Sequence, residues 1–281
     1  MKVLTSVLSL LVLTIGLQAE RSRIVSLGGA ITETLFALGA GERVIARDDT
    51  SLFPDAALEL PSVGYVRTIG AEGILAMRPD LILASASAGP PEQVRILQNS
   101  GIAFQQFDEL EAVPDVLRLV DSIGEAMHLE TEARELAATL EERFAKSRNL
   151  AANLGKPPRV AVLMGGGNSY SAAYDGTAAS ALIDFAGGEN VFSGLPGYKP
   201  TSVEEIVAAN PDLIFITSRR PDRVGLPPVE NLPPGSPLAL THAAKEGRIY
   251  WLDMGEYLLF GPHIAEAALE FTRLLAEQAP R

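Results

Sequence analysis

No cysteine occurs in the 281 residues of this chain. Disulfides are therefore excluded, as is a lipid-modified N-terminal cysteine, and stability must come from the core. Histidine is scarce: only His128, His242 and His263 are present. A free zinc or manganese site needs clustered imidazoles and carboxylates, which three scattered histidines do not supply. Basic residues are outnumbered, 23 against 35 acidic, for a net charge of −12. Such a surface repels nucleic acid and anionic lipid. Beyond residue 19 no apolar run is long enough to span a bilayer. Enzyme signatures are also missing. Gly28-Gly29 and Gly165-Gly166-Gly167 follow strand-like stretches as phosphate loops do, yet neither matches GxGxxG or the Walker pattern, and no GxSxG elbow occurs.

What is present is a globular composition, with 47% hydrophobic and 21% charged residues. The length suits two domains of ordinary size. Residues 1–19 stand apart. Lys2 is their single charge, Val3 to Leu17 is apolar, and Ala19 precedes Glu20, Arg21 and Arg23. This predicts a secretory signal peptide cut near Ala19, with a membrane anchor as the alternative. Loss of Lys2 with that segment takes the net charge from −12 to −13 and leaves a soluble exported protein.

Along the rest of the chain, strand and helix signals alternate. Arg23 to Leu27 reads as a strand, Ala30 to Leu38 as a helix ended by Gly39-Ala40-Gly41, and Val44 to Ala46 as the next strand. Ala71 to Met77 is helical. Asp80 to Ala84 is a buried strand, Glu92 to Asn99 a helix and Ile102 to Phe104 a strand. Val113 to Leu154 carries no strand signal, and its second half is Glu- and Arg-rich without Gly or Pro. It reads as a helical connector. At Arg159 the plan restarts. Glu204-Glu205-Ile206-Val207-Ala208-Ala209-Asn210-Pro211-Asp212-Leu213-Ile214 matches Glu72-Gly73-Ile74-Leu75-Ala76-Met77-Arg78-Pro79-Asp80-Leu81-Ile82 at a constant spacing of 132 residues. Repeats of this kind mark duplicated units. Gly64-Tyr65 and Gly197-Tyr198 fall almost in the same register.

The reading is an α/β protein of two Rossmann-like lobes with parallel sheets, joined by one long backbone helix, with a ligand cleft between the lobes. The expected boundaries are a signal peptide at 1–19, an N-terminal lobe at 20–126, a connecting helix at 127–155 and a C-terminal lobe at 156–281. The two Gly-Tyr strings are expected to face each other across the cleft.

Leu60 to Asp80 holds the chemistry. Tyr65 follows a glycine in an extended, turn-like run, and Arg67 stands two residues on. On extended backbone these two share a face, so the guanidinium is expected to reach the phenol. A phenolate is a hard oxygen ligand that suits ferric iron, and tyrosine is one of the few residues that holds haem iron. A nearby cation and a bound metal both favour the deprotonated form. An ordinary half-buried loop aromatic has the same local sequence.

Further strings carry a family resemblance: RIVSLGGAITETLFALGAG, VGYVR, AEGILAMRPDLILAS, AGPPE, GTAASALIDFAGGENVF, GYKP and FGP. The chain resembles the periplasmic haem-binding proteins of haem ABC transporters, within the helical-backbone class that also takes cobalamin and ferric siderophores. The resemblance implies that Tyr65 is the axial ligand of a ferric haem and that Arg67 hydrogen-bonds its phenolate. It implies that Arg219 or Arg220 pairs with a haem propionate; Tyr198, with Tyr174 a weaker candidate, is expected to wall the porphyrin from the second lobe. It also implies that Glu72 and Glu204, one per lobe, dock on an ABC-transporter permease and its ATPase complex. The implied protein is a monomeric, non-enzymatic binding protein of the periplasm. Family members tend to read FGPR where this chain reads Phe260-Gly261-Pro262-His263. His263 is thus open to three roles: a propionate cap, a second iron ligand, or a plain residue at a helix start. A ferric siderophore or cobalamin remains the alternative ligand.

Overall fold

The computed structural model describes residues 23–166, 169–218, 225, 226, 228, 229, 232 and 236–278. The expected signal peptide at 1–19 and both candidate arginines, Arg219 and Arg220, lie outside the described residues.

The first lobe is built from β1 (Ile24–Leu27), α1 (Gly29–Ala37), β2 (Val44–Arg47), α2 (Asp55–Leu58), α3 (Ala71–Ala76), β3 (Leu81–Ser85), α4 (Pro91–Gln98) and β4 (Ala103–Phe107). Its sheet runs β2-β1-β3-β4, with every neighbour parallel. Two helices follow, α5 (Val116–Met127) and α6 (Glu130–Ala152). The second lobe comprises β5 (Arg159–Gly166), β6 (Ser169–Ala173), α7 (Ala178–Phe185), β7 (Glu189–Asn190), β8 (Tyr198–Thr201), α8 (Val203–Ala209), β9 (Leu213–Ser218), α9 (His242–Lys245), β10 (Ile249–Asp253), α10 (Met254–Leu258) and α11 (Ile264–Gln278).

The second sheet corrects the expectation of two parallel sheets. Strands β10, β9, β5 and β7 are mutually parallel, but β6 folds back antiparallel on β5, and β8 pairs antiparallel with β6. Gly165 allows this return. Its φ is +111°, and a Cβ there would lie 2.5 Å from the Ser169 carbonyl oxygen. Gly165 and Gly166 thus belong to the first strand of a hairpin, opposite Tyr170 and Ser169.

Period-2 alternation places each sheet between two apolar layers. Ile24, Leu81 and Leu83 face a central core, whereas Val25, Leu27, Ile82 and Ala84 face an outer one. In the second lobe Val160, Val162, Leu213 and Phe215 enter the same central core, and Ala161, Leu163, Ile214 and Ile216 face their own outer layer. The central core is therefore shared between the lobes, and α5, α6, α7, α10 and α11 all contribute to it. The connector is α6, 23 residues long and shorter at both ends than expected. It packs on α5 from one lobe and α11 from the other, burying Ala133, Leu140, Phe144 and Ser147. His128 adopts the left-handed conformation (φ 57°, ψ 42°) that separates α5 from α6.

The duplication extends to hydrogen bonds. Asp80 accepts the Arg23 amide, and the Arg23 guanidinium donates to the Met77 and Arg78 carbonyls. In the second lobe Asp212 accepts the Arg159 amide, and the Arg159 guanidinium donates to the Ala209 carbonyl. Arg78 and Asn210 hold the same left-handed backbone, at φ 51° and 46°.

Candidate ligand site

Tyr65 is placed by two strands of the first sheet. Where β2 ends, the chain loops out and returns alongside it. The Arg47 amide donates to the Pro61 carbonyl (3.0 Å), the Val63 amide to Arg47 (2.8 Å) and the Asp49 amide to Gly64 (2.9 Å). The Ser62 hydroxyl donates to Asp49 Oδ1 and accepts the Gly64 amide. Gly64, at φ +92°, then turns the chain outward. On its far side Tyr65 is followed by a 3-10 turn, Val66–Thr68. That turn is pinned to the loop after β3: the Gly89 amide donates to the Val66 carbonyl (3.0 Å) and the Ile69 amide to the Gly89 carbonyl (2.8 Å). Val66 and Ile69 that follow it are buried, while Tyr65 itself is 44% exposed. A phenol of such exposure, clamped at the carboxyl ends of β2 and β3, stands where open α/β sheets take their ligands.

The 3-10 turn changes the relation expected between Tyr65 and Arg67. Tyr65 is extended (φ −76°, ψ 131°), but the helical turn begins immediately after it, so the two side chains do not share an extended face. Arg67 is exposed.

Tyr198 occupies the related position in the second lobe but a different setting. It is the first residue of β8, opposite Ala173 on β6, and packs against the central core. Burial raises its phenol above the ordinary value. Tyr174 lies at the end of the same hairpin. Its amide donates to the Gly197 carbonyl, and its ring rests on Phe192 at 5.4 Å. Leu195, next to this turn, is 49% exposed.

His263 is occupied on both sides. Its Nδ1 lies 2.5 Å from Glu33 Oε2, and its Nε2 lies 2.6 Å from the Glu256 carbonyl oxygen. The His263 amide donates to Glu33 Oε1, and the Phe53 ring stacks on the imidazole at 4.6 Å and 19°. With both ring nitrogens engaged, this conformation offers no free lone pair to iron.

Glu72 and Glu204 are exposed, each in the first turn of its helix, α3 and α8. The neighbouring Glu205 is different: it closes a capping box with Ser202, and those hydrogen bonds lower its carboxyl below the usual range.

The Gly28-Gly29 turn is not a free anion site. Asp48, fully buried, accepts the Gly28 amide at 2.8 Å, and Thr50 Oγ1 accepts the Gly29 amide at 3.1 Å. The donors that would cradle a phosphate already serve an internal carboxylate. Among the described residues no group of three or more His, Asp or Glu side chains is arranged to hold a metal ion.

Asp48, Glu33 and Phe53 are the structural participants that the sequence reading passed over. Glu33 carried a signal, since the single charged residue of α1, set between Thr32 and Thr34, has to find a partner when buried. Asp48 and Phe53 gave none.

Two apposed α/β lobes on a helical spine, with an exposed ligand-type side chain at the strand ends, define a ligand-capturing binding protein. The periplasmic binding protein family model matches residues 24–254, and the chain belongs to that family. Among solved structures it is similar to the periplasmic haem-binding protein RhuT from Roseiflexus sp. RS-1, with a TM-score of 0.83 and 32% identity over 92% of this chain and 99% of that one. It is also similar to the periplasmic haem-binding protein BhuT in complex with two haems, with a TM-score of 0.82 and 33% identity over 92% and 99% of the two chains. Among curated relatives, the vitamin B12-binding protein of Vibrio vulnificus is 29% identical over 245 residues, 83% of this chain and 85% of that protein. No described helix is long and apolar enough to cross a membrane.

Proposed function

We propose that this protein captures ferric haem in the periplasm and delivers it to the permease and ATPase of an ABC transporter, without chemical turnover. The observation that carries the reading is Tyr65, a 44% exposed phenol clamped at the carboxyl end of the first sheet. Its oxygen coordinates the iron as phenolate, and Arg67, exposed two residues on, compensates that charge. Arg219 pairs with a propionate, and Tyr198 lines the second wall. The haem-binding relatives at 32% and 33% identity support this choice of ligand. The loaded lobes dock through Glu72 and Glu204. Residues 1–19 direct export and are removed.

Cobalamin is the second reading, favoured by the curated vitamin B12-binding relatives. A visible-absorption titration of the haem-free protein with hemin, run beside Tyr65→Phe, separates the two. Saturable ferric-tyrosinate absorption in the parent, lost in the variant, is the expected result. An unchanged spectrum in Tyr65→Phe would remove Tyr65 from the iron. No hemin binding together with saturable cobalamin binding would replace the ligand.

A further inference from the structure

The Glu33–His263 contact joins α1 of the first lobe to the turn that opens α11 of the second. Both imidazole nitrogens face oxygen: Nδ1 the Glu33 carboxylate at 2.5 Å, Nε2 the Glu256 carbonyl at 2.6 Å. A carbonyl oxygen has no proton to give. A neutral imidazole has one N–H and one lone pair, so either tautomer aims a lone pair at one of these oxygens. The imidazolium donates to both. Because Glu33 is 8% exposed, the mismatch in the neutral form falls where water is scarce.

The surroundings favour the cation. Glu33 approaches from α1 and Glu256 from α10, with Asp253 and Glu270 acting on Glu256 in turn. The first lobe's 48–54 loop contributes Phe53, an uncharged ring. Also on α11, Glu266 pairs with Arg143 at 3.1 Å. Burial opposes the charge of His263, but Glu33 and Glu256 outweigh it and hold the imidazole above its ordinary value.

We propose that His263 is a titratable tie between the two lobes: as imidazolium it locks α1 to the α10–α11 turn, and its deprotonation frees the lobes on the side where the loop leading to Tyr65 is anchored. Phe53, stacked on His263, belongs to that loop, and Leu52 and Phe53 also rest against Gly255 of the second lobe. The tie is fully made below about pH 6.5 and is lost as pH rises through the raised value. It depends on the contact between the lobes and not on the identity of the ligand.

The absence of cysteine makes the test direct. Cysteines introduced at the exposed Gln98 and Glu246, one per lobe, take spin labels nowhere else. Double electron–electron resonance on the ligand-free full chain at pH 6 and pH 9 reads the distance between the lobes. The expected result is a narrow peak at pH 6 whose width at least doubles at pH 9, and a peak that stays narrow at both values in His263→Arg. Arginine keeps a cation with several N–H donors at this position and does not titrate in this range. An unchanged parent distribution, or equal broadening in His263→Arg, overturns the proposal. Should His263→Arg not fold, nitrogen-detected NMR of the parent and Glu33→Gln replaces it. A His263 midpoint above the ordinary value in the parent, lowered in Glu33→Gln, supports the tie, and a midpoint unmoved by Glu33→Gln overturns it.

Discussion

The Asp48 carboxylate stands at the mouth of α1 with Oδ1 2.8 Å from the Gly28 amide. The same oxygen accepts the Ser51 hydroxyl at 2.8 Å, and Oδ2 accepts the amide and hydroxyl of Thr50 at 2.8 and 2.6 Å. One side chain thus caps a helix and fastens the loop that leads to Tyr65. Asp48→Ala leaves buried donors unpaired, and a loss of about 3 kcal/mol of unfolding free energy is expected. Urea denaturation at pH 7 measures it. A loss under about 0.5 kcal/mol, the size of an ordinary surface change, would mean that other contacts hold the loop.

Gly124 marks the close approach of α5 and α6. A Cβ there would lie 2.4 Å from the Ala133 Cβ. Gly124→Ala should therefore push the helical spine away from the first lobe, costing about 2 kcal/mol and lowering Tm by roughly 4–8 °C. A calorimetric scan that shows no drop would mean that the two helices separate without loss.

The proposed docking role of Glu72 and Glu204 is tested by changing both to glutamine. Hemin affinity in solution should stay within about twofold of the parent, because neither side chain belongs to the Tyr65 frame. ATP-driven haem uptake into vesicles bearing the cognate permease should fall at least tenfold if two desolvated charge pairs of about 1–2 kcal/mol each are lost. Weakened hemin binding in the double variant would place these glutamates at the ligand instead.

Stability should fall on the alkaline side. A base held above its ordinary value in the folded state stabilises that state below its unfolded value, and the benefit disappears as pH rises through the folded value. His263 is such a group. Urea midpoints should decrease from pH 6 to pH 9, and His263→Arg should show a flatter profile. Identical slopes in the two proteins would assign the decline to other groups.

Local signals account for much of the fold. The short apolar runs at Ile24–Leu27 and Leu81–Ser85, the glycines behind α1 and α7, and the block shared by α3-β3 and α8-β9 all became the elements their patterns imply. Gly39 and Gly187 even share φ +77°. The β6–β8 addition was not legible, because Gly165 and Pro200 look like breakers until a hairpin and an edge position explain them. The site divides in the same way. Tyr65 stands out because glycine and arginine flank it within three residues. Glu33 and His263 lie 230 residues apart, and only folding brings them together. Arg67 was misjudged in conformation because a 3-10 turn has no strong sequence signal.

The two Gly-Tyr strings show where the duplication has been broken. Gly64 and Gly197 both turn through positive φ, at 92° and 78°, yet one tyrosine ring stands out at its sheet and the other packs half-buried against the core. On the haem reading, a nearly twofold frame offers its oxygen from one side only. The two faces of an asymmetrically substituted porphyrin are mirror images, and an iron-bound donor on one side makes the two flipped orientations of the pigment different complexes. Those two complexes are diastereomers within a chiral protein, so their Soret circular dichroism differs and reports which orientation the pocket holds.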